Sequence, residues 1–456
     1  MKARVLAAVL GISGCVSVFA QDVSAPQTSA ATDRLDFDGF YKRALEKGAR
    51  IQESAAQLKV SDARAQLARA QSFPTMQLEA IAGPSPSFTG NALESNTSFD
   101  RWGVAFQNKI EIIQPLYAFG ALGKLREAAS AAQEAERGRH EREKLLLKQD
   151  IAKLYYGYQL AFELREVVQG LQNQITKARD EAEKMRDHRS KNAPSATDID
   201  RLDMVLAELT ARSAEAQKFM DLAKLGMAVE IGNYGGQNDV RWARANLKRR
   251  EADLKELGFY QEISHTKRPE YQALRKESEA RDLLVEAEAG RFYPTIFAGA
   301  RWTFASNSVS TDQPSVFAND PYNQNTAMAG IGIRWNIFSA DARAKVAAVR
   351  ADAIKTHAKN DALLRNLDAD VEKNWQELKY LKVATEQKAL VVQSARRVYL
   401  DMLGGFALGS QKAKDLLESI GSLAGAQKAS LDAVFEENLA WVRLEASTGQ
   451  DLSNAP

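Results

Sequence analysis

The residues that could carry catalysis or hold a metal ion are few and widely separated in this sequence. The four histidines are scattered, and none pairs with an acid at metal-ligand spacing: His140, His188, His265 and His357. There is no phosphate-binding loop or nucleophile elbow, and a single cysteine excludes an intrachain disulfide. We therefore expect no catalytic site, no metal and no cofactor, and a protein that is not an enzyme.

Cys15 is the one residue whose neighbours suggest a covalent chemistry. It ends the stretch Ile12–Cys15, which resembles a bacterial lipoprotein box, so its thiol is a candidate for lipid attachment. The competing interpretation is an ordinary signal peptide over residues 1–20, with a basic start, a short apolar core and a cut after Ala20. Apolar residues directly after Cys15 favour the cut after Ala20, and both interpretations predict an exported protein.

Charge and composition exclude several classes of function. The 456 residues hold 61 Lys and Arg against 59 Asp and Glu, so the basic excess of a nucleic-acid-binding protein is missing. No later stretch reaches the ~18 uninterrupted apolar residues of a transmembrane helix. A flexible leader is predicted at 21–38, and any part of the chain that enters a membrane must do so as strands.

Four segments alternate apolar and polar residues with the period of two that predicts β-strands. They begin at Met76, Arg101, Ile296 and Ala329. Polar loops are predicted inside each pair, at 83–99 and 305–326. One face carries positive charges that would line an aqueous space: Arg101, Lys109, Arg301 and Arg334. The other is apolar, with aromatic residues near the strand ends, and is predicted to face lipid: Trp102, Val104, Phe106, Ile110, Ile112, Trp302, Phe304, Ile331, Ile333 and Trp335.

Long helices without proline follow each pair of strands. A helix over about 122–189 would be roughly 100 Å long, and its apolar residues are spaced as in a coiled coil. A return helix runs to about Ile231, and a second hairpin of helices follows the second strand pair. The strands enter these helices through three predicted hinge residues: Pro115, Gly120 and Asn336.

The order helix, two strands, long helix, return helix occurs twice, at an offset of about 220 residues. We expect a first structural repeat at 39–232 and a second at 268–449. Between them lies a charged segment at 233–267, predicted to be helical and to wrap the middle of the helical part. A tail at 450–456 follows.

Four strands are too few to close a membrane barrel, since small membrane barrels begin at ~8 strands. Unpaired strand edges cannot sit in hydrocarbon. If these strands span a membrane, several copies of the chain must therefore share one barrel, and the helices would continue it as a tube. A soluble sheet packed on helices is the competing interpretation.

The repeated junctions resemble those of the TolC-like outer-membrane efflux protein family over nearly all of the mature chain. The segments on which the resemblance rests are SFPTMQLEA and RFYPTIFAG before the strands, IEIIQPLYAFG and IGIRWNIFSAD after them, and the turn GSQKAKDLL. The resemblance implies a mostly α fold with β, as a homotrimer with a twelve-stranded β-barrel above a coiled-coil tunnel. It also implies a cell outer-membrane location in contact with lipid, a periplasmic adaptor, and an inner-membrane pump or ABC exporter.

Residues at the two helical turns are predicted to mark the periplasmic tip and the docking site of the adaptor: Asn192, Ser195, Asp198, Gly409, Ser410 and Asp415. Each has an equally plain interpretation as an ordinary helix–turn–helix residue. Charged residues near the tip are candidates for a gate: Arg189, Arg397 and Asp401. For these, a solvated charged face is the competing interpretation. In this family's pattern the first turn has a glycine where Asn192 stands, and Asn336 replaces the proline of the second hinge.

The function predicted from all of this is a passive exit duct of a tripartite efflux pump or a type I secretion system. Energy and substrate choice would come from its partners, and nucleic acid is no partner. An exported coiled-coil scaffold without a pore is the main alternative. A stand-alone porin is a third, which leaves the long helices without a purpose.

Overall fold

A computed structural model describes most of the chain. The described residues are 34–91, 93–187, 195–233, 241–243, 246–313, 315, 320–408 and 410–450. Several predicted features lie outside them: the signal peptide with Cys15, most of the leader, the tail after residue 450, and Arg189, Asn192 and Gly409.

Eight helices lie in this described part of the chain: α1 Phe37–Lys47, α2 Ala49–Ala70, α3 Ala121–Asp187, α4 Ala196–Glu230, α5 Leu257–Lys267, α6 Pro269–Gly290, α7 Ala340–Ala407 and α8 Ala413–Thr448. Six strands accompany them: β1 Arg34–Leu35, β2 Thr75–Gly90, β3 Ser95–Tyr117, β4 Arg241–Trp242, β5 Thr295–Asn307 and β6 Gln324–Arg334. The fold is mostly helical with some sheet, as predicted.

The predicted duplication is visible in the element order. The series α1, α2, β2, β3, α3, α4 is followed by α5, α6, β5, β6, α7, α8. The helices α1 and α5 both have 11 residues, and α2 and α6 both have 22. The helices of the second repeat, α5 and α6, each begin 220 residues after their counterparts α1 and α2.

The long helices pack as two antiparallel hairpins, α3 with α4 and α7 with α8. Four residues of the predicted coiled-coil stripe in α3 are buried: Leu171, Ile175, Ala178 and Ala182. They belong to one core with apolar residues of the other three helices, among them Leu202, Tyr399 and Leu416. Because alanines occur in the stripe, the helices can approach closely. The four helices thus form one elongated bundle.

The sheet that joins the two repeats has the order β2–β3–β5–β6, and every pairing is antiparallel. A separate parallel pair, β1 with β4, ties Leu35 to Trp242. Trp242 is buried against Phe40, with ring centroids 4.9 Å apart.

The predicted loop at 83–99 is wrong, because β2 runs to Gly90 and β3 already begins at Ser95. Pro84 and Pro86 suggested a loop, but β2 lies at the edge of the sheet. At an edge, a missing backbone N–H costs little. The bounds of the second predicted loop are confirmed within a few residues, since β5 ends at Asn307 and β6 begins at Gln324.

Three further boundaries differ from the prediction. The single helix that the repeat pattern predicts before the first strand pair is two helices, which meet at Gly48. Among the described residues of the segment between the repeats, α5 is the one helix, and residues 246–256 form no helix or strand. The fourth strand ends at Arg334, so Trp335 lies beyond the sheet. Its indole nitrogen Nε1 donates to the Phe292 carbonyl at 2.9 Å, where the chain turns toward α7.

Candidate functional site

The strand register places the predicted lipid-facing residues of the sheet on one face. Leu78, Ile110, Trp302 and Ala327 stand directly opposite one another across the four strands, and such neighbours share a face. By the same register, one face holds nine of the ten predicted residues: Trp102, Val104, Phe106, Ile110, Ile112, Trp302, Phe304, Ile331 and Ile333. Only Trp335 is excluded, because it lies outside the strand.

This apolar face is exposed. Ile331 is 75% and Ile333 is 70% exposed, and Leu78 of the opposite edge strand is 63% exposed. The predicted alternative, a soluble sheet with its apolar face packed on helices, is therefore wrong for this face. A contiguous apolar surface of this kind marks a site that meets a membrane or another protein.

The opposite face of the sheet is polar and charged. The Arg301 guanidinium lies 2.6 Å from the Glu111 carboxylate, and the Lys109 ammonium lies 3.8 Å from the same group. The Arg334 guanidinium stands 5.1 Å above the Phe297 ring on this face. Arg101, predicted to join them, lies instead where the register between β2 and β3 shifts.

Both edges of the sheet are open in the described chain, since β2 pairs only with β3 and β6 only with β5. Each edge strand therefore presents backbone donors and acceptors on its outer side. In water such an edge can pair with a strand of another chain. In hydrocarbon such pairing is required, because unpaired backbone groups there have no water to bind.

The structure separates the two predicted hinge residues between β3 and α3, Pro115 and Gly120. Pro115 is still part of β3, opposite Phe297, and a β-bulge follows it before Tyr117. The chain turns at Phe119 and Gly120, which have φ angles of 47° and 85°. Gly120 suits this left-handed conformation because it has no Cβ. In the second repeat, Asn336 lies between the end of β6 and Ser339, whose hydroxyl accepts from the Ala342 amide to cap α7.

The two helical turns differ in their local chemistry. Ser195 caps α4: its hydroxyl accepts from the Asp198 amide at 3.2 Å, and the Asp198 carboxylate accepts from the Ser195 amide at 3.2 Å. This reciprocal arrangement is a capping box. At the second turn, the Ser410 hydroxyl donates to the Gly405 carbonyl at 3.0 Å. Asp415 lies in the first turn of α8, which no side chain caps.

The gate candidates near the second turn are exposed. Arg397 donates to the Ser394 hydroxyl of its own helix at 2.9 Å. Among the described residues, Arg397 and Asp401 form no ion pair with each other, although they lie one helical turn apart. Neither of them forms a contact here that would distinguish a gate from a solvated face.

Residues 246–256, the inter-repeat strap, lie against α7 and α8. The backbone of the strap is held by side chains of these helices. Asn438 accepts from the Arg250 amide at 3.0 Å and donates to the Lys248 carbonyl at 2.8 Å. Trp375 donates to the Lys255 carbonyl at 2.9 Å. These bonds replace the internal hydrogen bonds that a helix would have supplied.

Two buried carboxylates of α8 complete this attachment. Glu437 is fully buried and accepts from the Arg249 guanidinium at 2.9 and 3.1 Å. Glu445 is 3% exposed and lies 2.6 Å from the guanidinium of Arg250. It also lies 2.9 Å from the Lys148 ammonium of α3. Glu445 therefore joins the strap, α8 and α3 at one point.

Three of the four histidines contact partners from distant parts of the chain. His357 Nε2 lies 2.9 Å from Asp282, and His140 Nδ1 lies 2.9 Å from the Ser54 hydroxyl. His265 Nε2 lies 2.8 Å from Asp368, which also accepts from the Tyr271 hydroxyl. Burial and the Asp368 carboxylate raise the pKa of Tyr271 to about 12. These pairs join neighbouring helices.

No group of three His, Cys, Asp or Glu side chains suited to a metal ion occurs among the described residues. In the same part of the chain, no helix combines the length and the apolar character needed to cross a membrane.

The comparisons with known proteins agree with the sequence resemblance. Residues 40–188 match the family model described as outer membrane efflux protein. The resemblance to the TolC-like outer-membrane efflux family is confirmed. Channel proteins of this family are ducts without enzymatic activity, and the prediction that the chain is not an enzyme is confirmed. No curated relative matches the sequence.

Solved outer-membrane channels share the fold over nearly the whole chain. The outer-membrane channel OprN is 15% identical, with a TM-score of 0.76 over 91% of this chain and 90% of OprN. The outer membrane protein VceC from Vibrio cholerae is 17% identical, with a TM-score of 0.74 over 91% and 96%. The outer membrane channel CmeC from Campylobacter jejuni is 13% identical, with a TM-score of 0.74 over 92% and 86%.

Proposed function

We propose, from the match to the outer membrane efflux protein family and from the channel fold, that this chain forms an outer-membrane exit duct. It would serve a tripartite efflux pump or a type I secretion system and conduct substrates passively. The observation that carries the proposal is the four-stranded sheet, which has an exposed apolar face, a charged opposite face and two open edges.

The apolar face fits a lipid environment. The strands β5 and β6, with 13 and 11 residues, reach the ~9–11 residues that a membrane-spanning strand needs. Trp102 and Trp302 lie on the apolar face, as aromatic residues do in membrane barrels. The charged face, with Arg301 and Glu111, would then line an aqueous interior.

The open edges require further copies of the chain. In hydrocarbon, the outer backbone groups of β2 and β6 must find partners. Pairing β6 of one copy with β2 of the next satisfies both edges and closes a barrel. Three copies, the number implied by the family resemblance, would give twelve strands.

The helices extend this barrel into a tube. The strand β3 enters α3 through the hinge at Gly120, and β6 enters α7 through Asn336, so the helices lie at one end of the sheet. With 67 and 68 residues, α3 and α7 each reach roughly 100 Å. That length fits a conduit across the periplasm better than a simple pore in the membrane.

The far end of the helical hairpins is the proposed contact with a periplasmic adaptor and an inner-membrane pump or ABC exporter. The turn residues Ser195, Asp198, Ser410 and Asp415 lie there, about one helix length from the sheet. Ser195 and Ser410 are exposed, Asp198 and Asp415 are half-buried, and these polar groups suit a protein contact. Arg397 and Asp401 remain proposed gate residues.

A charge placed on the apolar face tests this function. We expect Ile333→Asp to reduce stable insertion, because Ile333 lies on the apolar face of β6 and a carboxylate that faces lipid destabilises a membrane barrel. The measurement is the amount of heat-modifiable oligomer in the outer-membrane fraction. Thr326→Asp is the matched control, since it adds the same charge to β6 on the polar face.

A soluble, elongated monomer in the periplasm from the unmodified chain would contradict the duct and favour the coiled-coil scaffold. Equal membrane insertion of Ile333→Asp and Thr326→Asp would show that the apolar face does not meet lipid. Purification of the unmodified oligomer with its adaptor and pump would identify which of the two export systems it serves.

A further inference from the structure

The connection that follows β5 begins by crossing the sheet. Ser308 continues the pairing of β5 with β3: its amide donates to the Val104 carbonyl at 3.1 Å, and its hydroxyl accepts from the Val104 amide at 3.0 Å. Three residues later, the Thr311 amide donates to the Phe88 carbonyl at 2.8 Å. Since Phe88 belongs to β2, the chain has passed from one side of β3 to the other. We name Ser308–Thr311 the crossing segment.

Gly103 identifies the face on which this crossing occurs. In the register Gly103 pairs with Ser85, on the same face as Lys109 and Glu111. A Cβ on Gly103 would stand 2.5 Å from the Ser308 hydroxyl oxygen and 2.6 Å from the Val309 side chain. The crossing segment therefore lies against the polar face at Gly103, in space that only the absence of a side chain leaves free.

Polar side chains of this face attach the crossing segment to the sheet. Ser87 is 1% exposed, and its hydroxyl donates to the Val309 carbonyl at 2.8 Å. The Asn307 amide group donates to the Ser85 hydroxyl at 3.1 Å, across β3. The Ser310 hydroxyl accepts from the Phe88 amide at 3.3 Å. The segment is thus bonded at its start, middle and end.

The same region is held from the β6 side. The Phe88 ring stacks on Tyr322, with centroids 3.9 Å apart. The Asp320 carboxylate accepts from the amides of Gln313, Tyr322 and Asn323 at 3.1, 2.9 and 3.1 Å. The two ends of the β5–β6 connection are therefore both attached to the sheet, and the crossing segment has a defined position.

We propose that the crossing segment is an inward constriction at the outer end of the duct, and that it sets the size of what can leave. The proposal rests on the proposed function, in which the polar face lines the barrel interior. Helices continue the sheet at the opposite end, beyond Tyr117 and Arg334, so Gly103 and Ser87 lie toward the outer mouth. Each copy of the chain would place one such segment inside the barrel.

The constriction limits size through backbone and small side chains. Ser308, Val309, Ser310 and Thr311 carry no charge, so the segment presents a neutral, mostly polar surface to the interior. A neutral rim discriminates by width and hydration. Cargo that is narrow in its exported form would pass, and wide folded cargo would not.

Single-channel conductance of the purified full chain in planar lipid bilayers tests this proposal. In Gly103→Val, the new side chain occupies the space of Ser308 and Val309 and should displace the segment, with a rise in conductance of about twofold as the pore widens. Gly83→Val is the matched control. Gly83 lies in β2 on the same polar face of the sheet as Gly103, and a Cβ on Gly83 meets nothing within 4 Å.

A second variant keeps the test valid if Gly103→Val fails to assemble. The double substitution Ser87→Ala with Asn307→Ala removes two attachments of the segment and adds no bulk. We expect a rise in conductance here too, and entry of larger neutral polymers than the unmodified channel admits.

The outcomes separate the two proposals. Open channels whose conductance is unchanged or lowered in Gly103→Val and in the double variant would overturn the constriction and leave the duct intact. If the unmodified chain forms no channels, the duct fails and the constriction fails with it. A rise in both variants, with none in Gly83→Val, supports the constriction.

Discussion

Glu445 is a buried carboxylate on α8 with two cations around it, Lys148 of α3 and Arg250 of the inter-repeat strap. Removing the Glu445 charge leaves these two half-buried cations without their carboxylate partner. We expect Glu445→Gln to lower the free energy of unfolding by about 3–5 kcal/mol. Chemical denaturation followed by the helical circular dichroism signal measures this.

Glu418→Gln is the control for this substitution, because Glu418 is an exposed carboxylate on the same helix. Surface changes of this kind stay within about 0.5 kcal/mol. If both variants unfold alike, the ion pairs at Glu445 do not hold the strap in place.

At this scale, partners far apart in the chain could not be predicted. The sequence alone shows that the histidines and acids are scattered along the chain. The pairing of His357 with Asp282, or of Arg249 with Glu437, joins residues 75 and 188 positions apart. Only the packing of α6 on α7, and of the strap on α8, brings these groups together.

At the scale of elements, the hinge between β3 and α3 depends on one glycine. Gly120 has φ of 85° and open space around its missing Cβ, so any cost of a side chain there comes from the backbone alone. We expect Gly120→Ala to destabilise the fold by about 1–2 kcal/mol, the penalty of the left-handed conformation for other residues. Thermal unfolding of the assembled protein measures this.

Gly123→Ala is the matched control, three residues later in the first turn of α3 and also in open space. There the substitution should stabilise the helix by about 0.5–1 kcal/mol, because alanine loses less conformational freedom on folding than glycine. Equal effects of the two substitutions would mean that the hinge conformation at Gly120 is not required.

Element types could be predicted where one periodicity was long. The alternation at Trp102, Val104 and Phe106 placed β3 correctly, and the heptad spacing placed α3. The predicted element boundaries were wrong where a residue type occurs in two kinds of local structure. Pro84 and Pro86 indicate a loop in most contexts, but an edge strand accepts them. The inter-repeat strap has a helical composition, yet side chains of α7 and α8 satisfy its backbone.

The organisation of the whole chain could be predicted because the repeat is long and its offset nearly constant. The apolar face and the open edges also followed from alternation and strand number. The crossing of β3 by Ser308–Thr311 could not, since no local pattern states which face a loop covers. The one sequence feature that the crossing requires is the glycine at position 103, and a lone glycine in a strand has several explanations.

The crossing segment also bears on how many copies share the barrel. Two copies would give eight strands, and the interior of an eight-stranded barrel is just wide enough for side chains. Here each copy would add a backbone crossing to the polar face beside Lys109, Glu111 and Arg301. Eight strands leave no room for two such crossings and a pore. Twelve strands from three copies would leave room for three crossings and a pore.

We therefore expect the assembly extracted in detergent to have the mass of three chains by native mass spectrometry. Ile333→Asp should yield mainly single chains, because its edge strand no longer enters the membrane to pair with β2 of the next copy. Thr326→Asp, with the charge on the polar face, should keep the mass of three. A stable two-chain species with open-channel conductance would contradict both the strand arithmetic and the placement of the crossing segment inside the barrel.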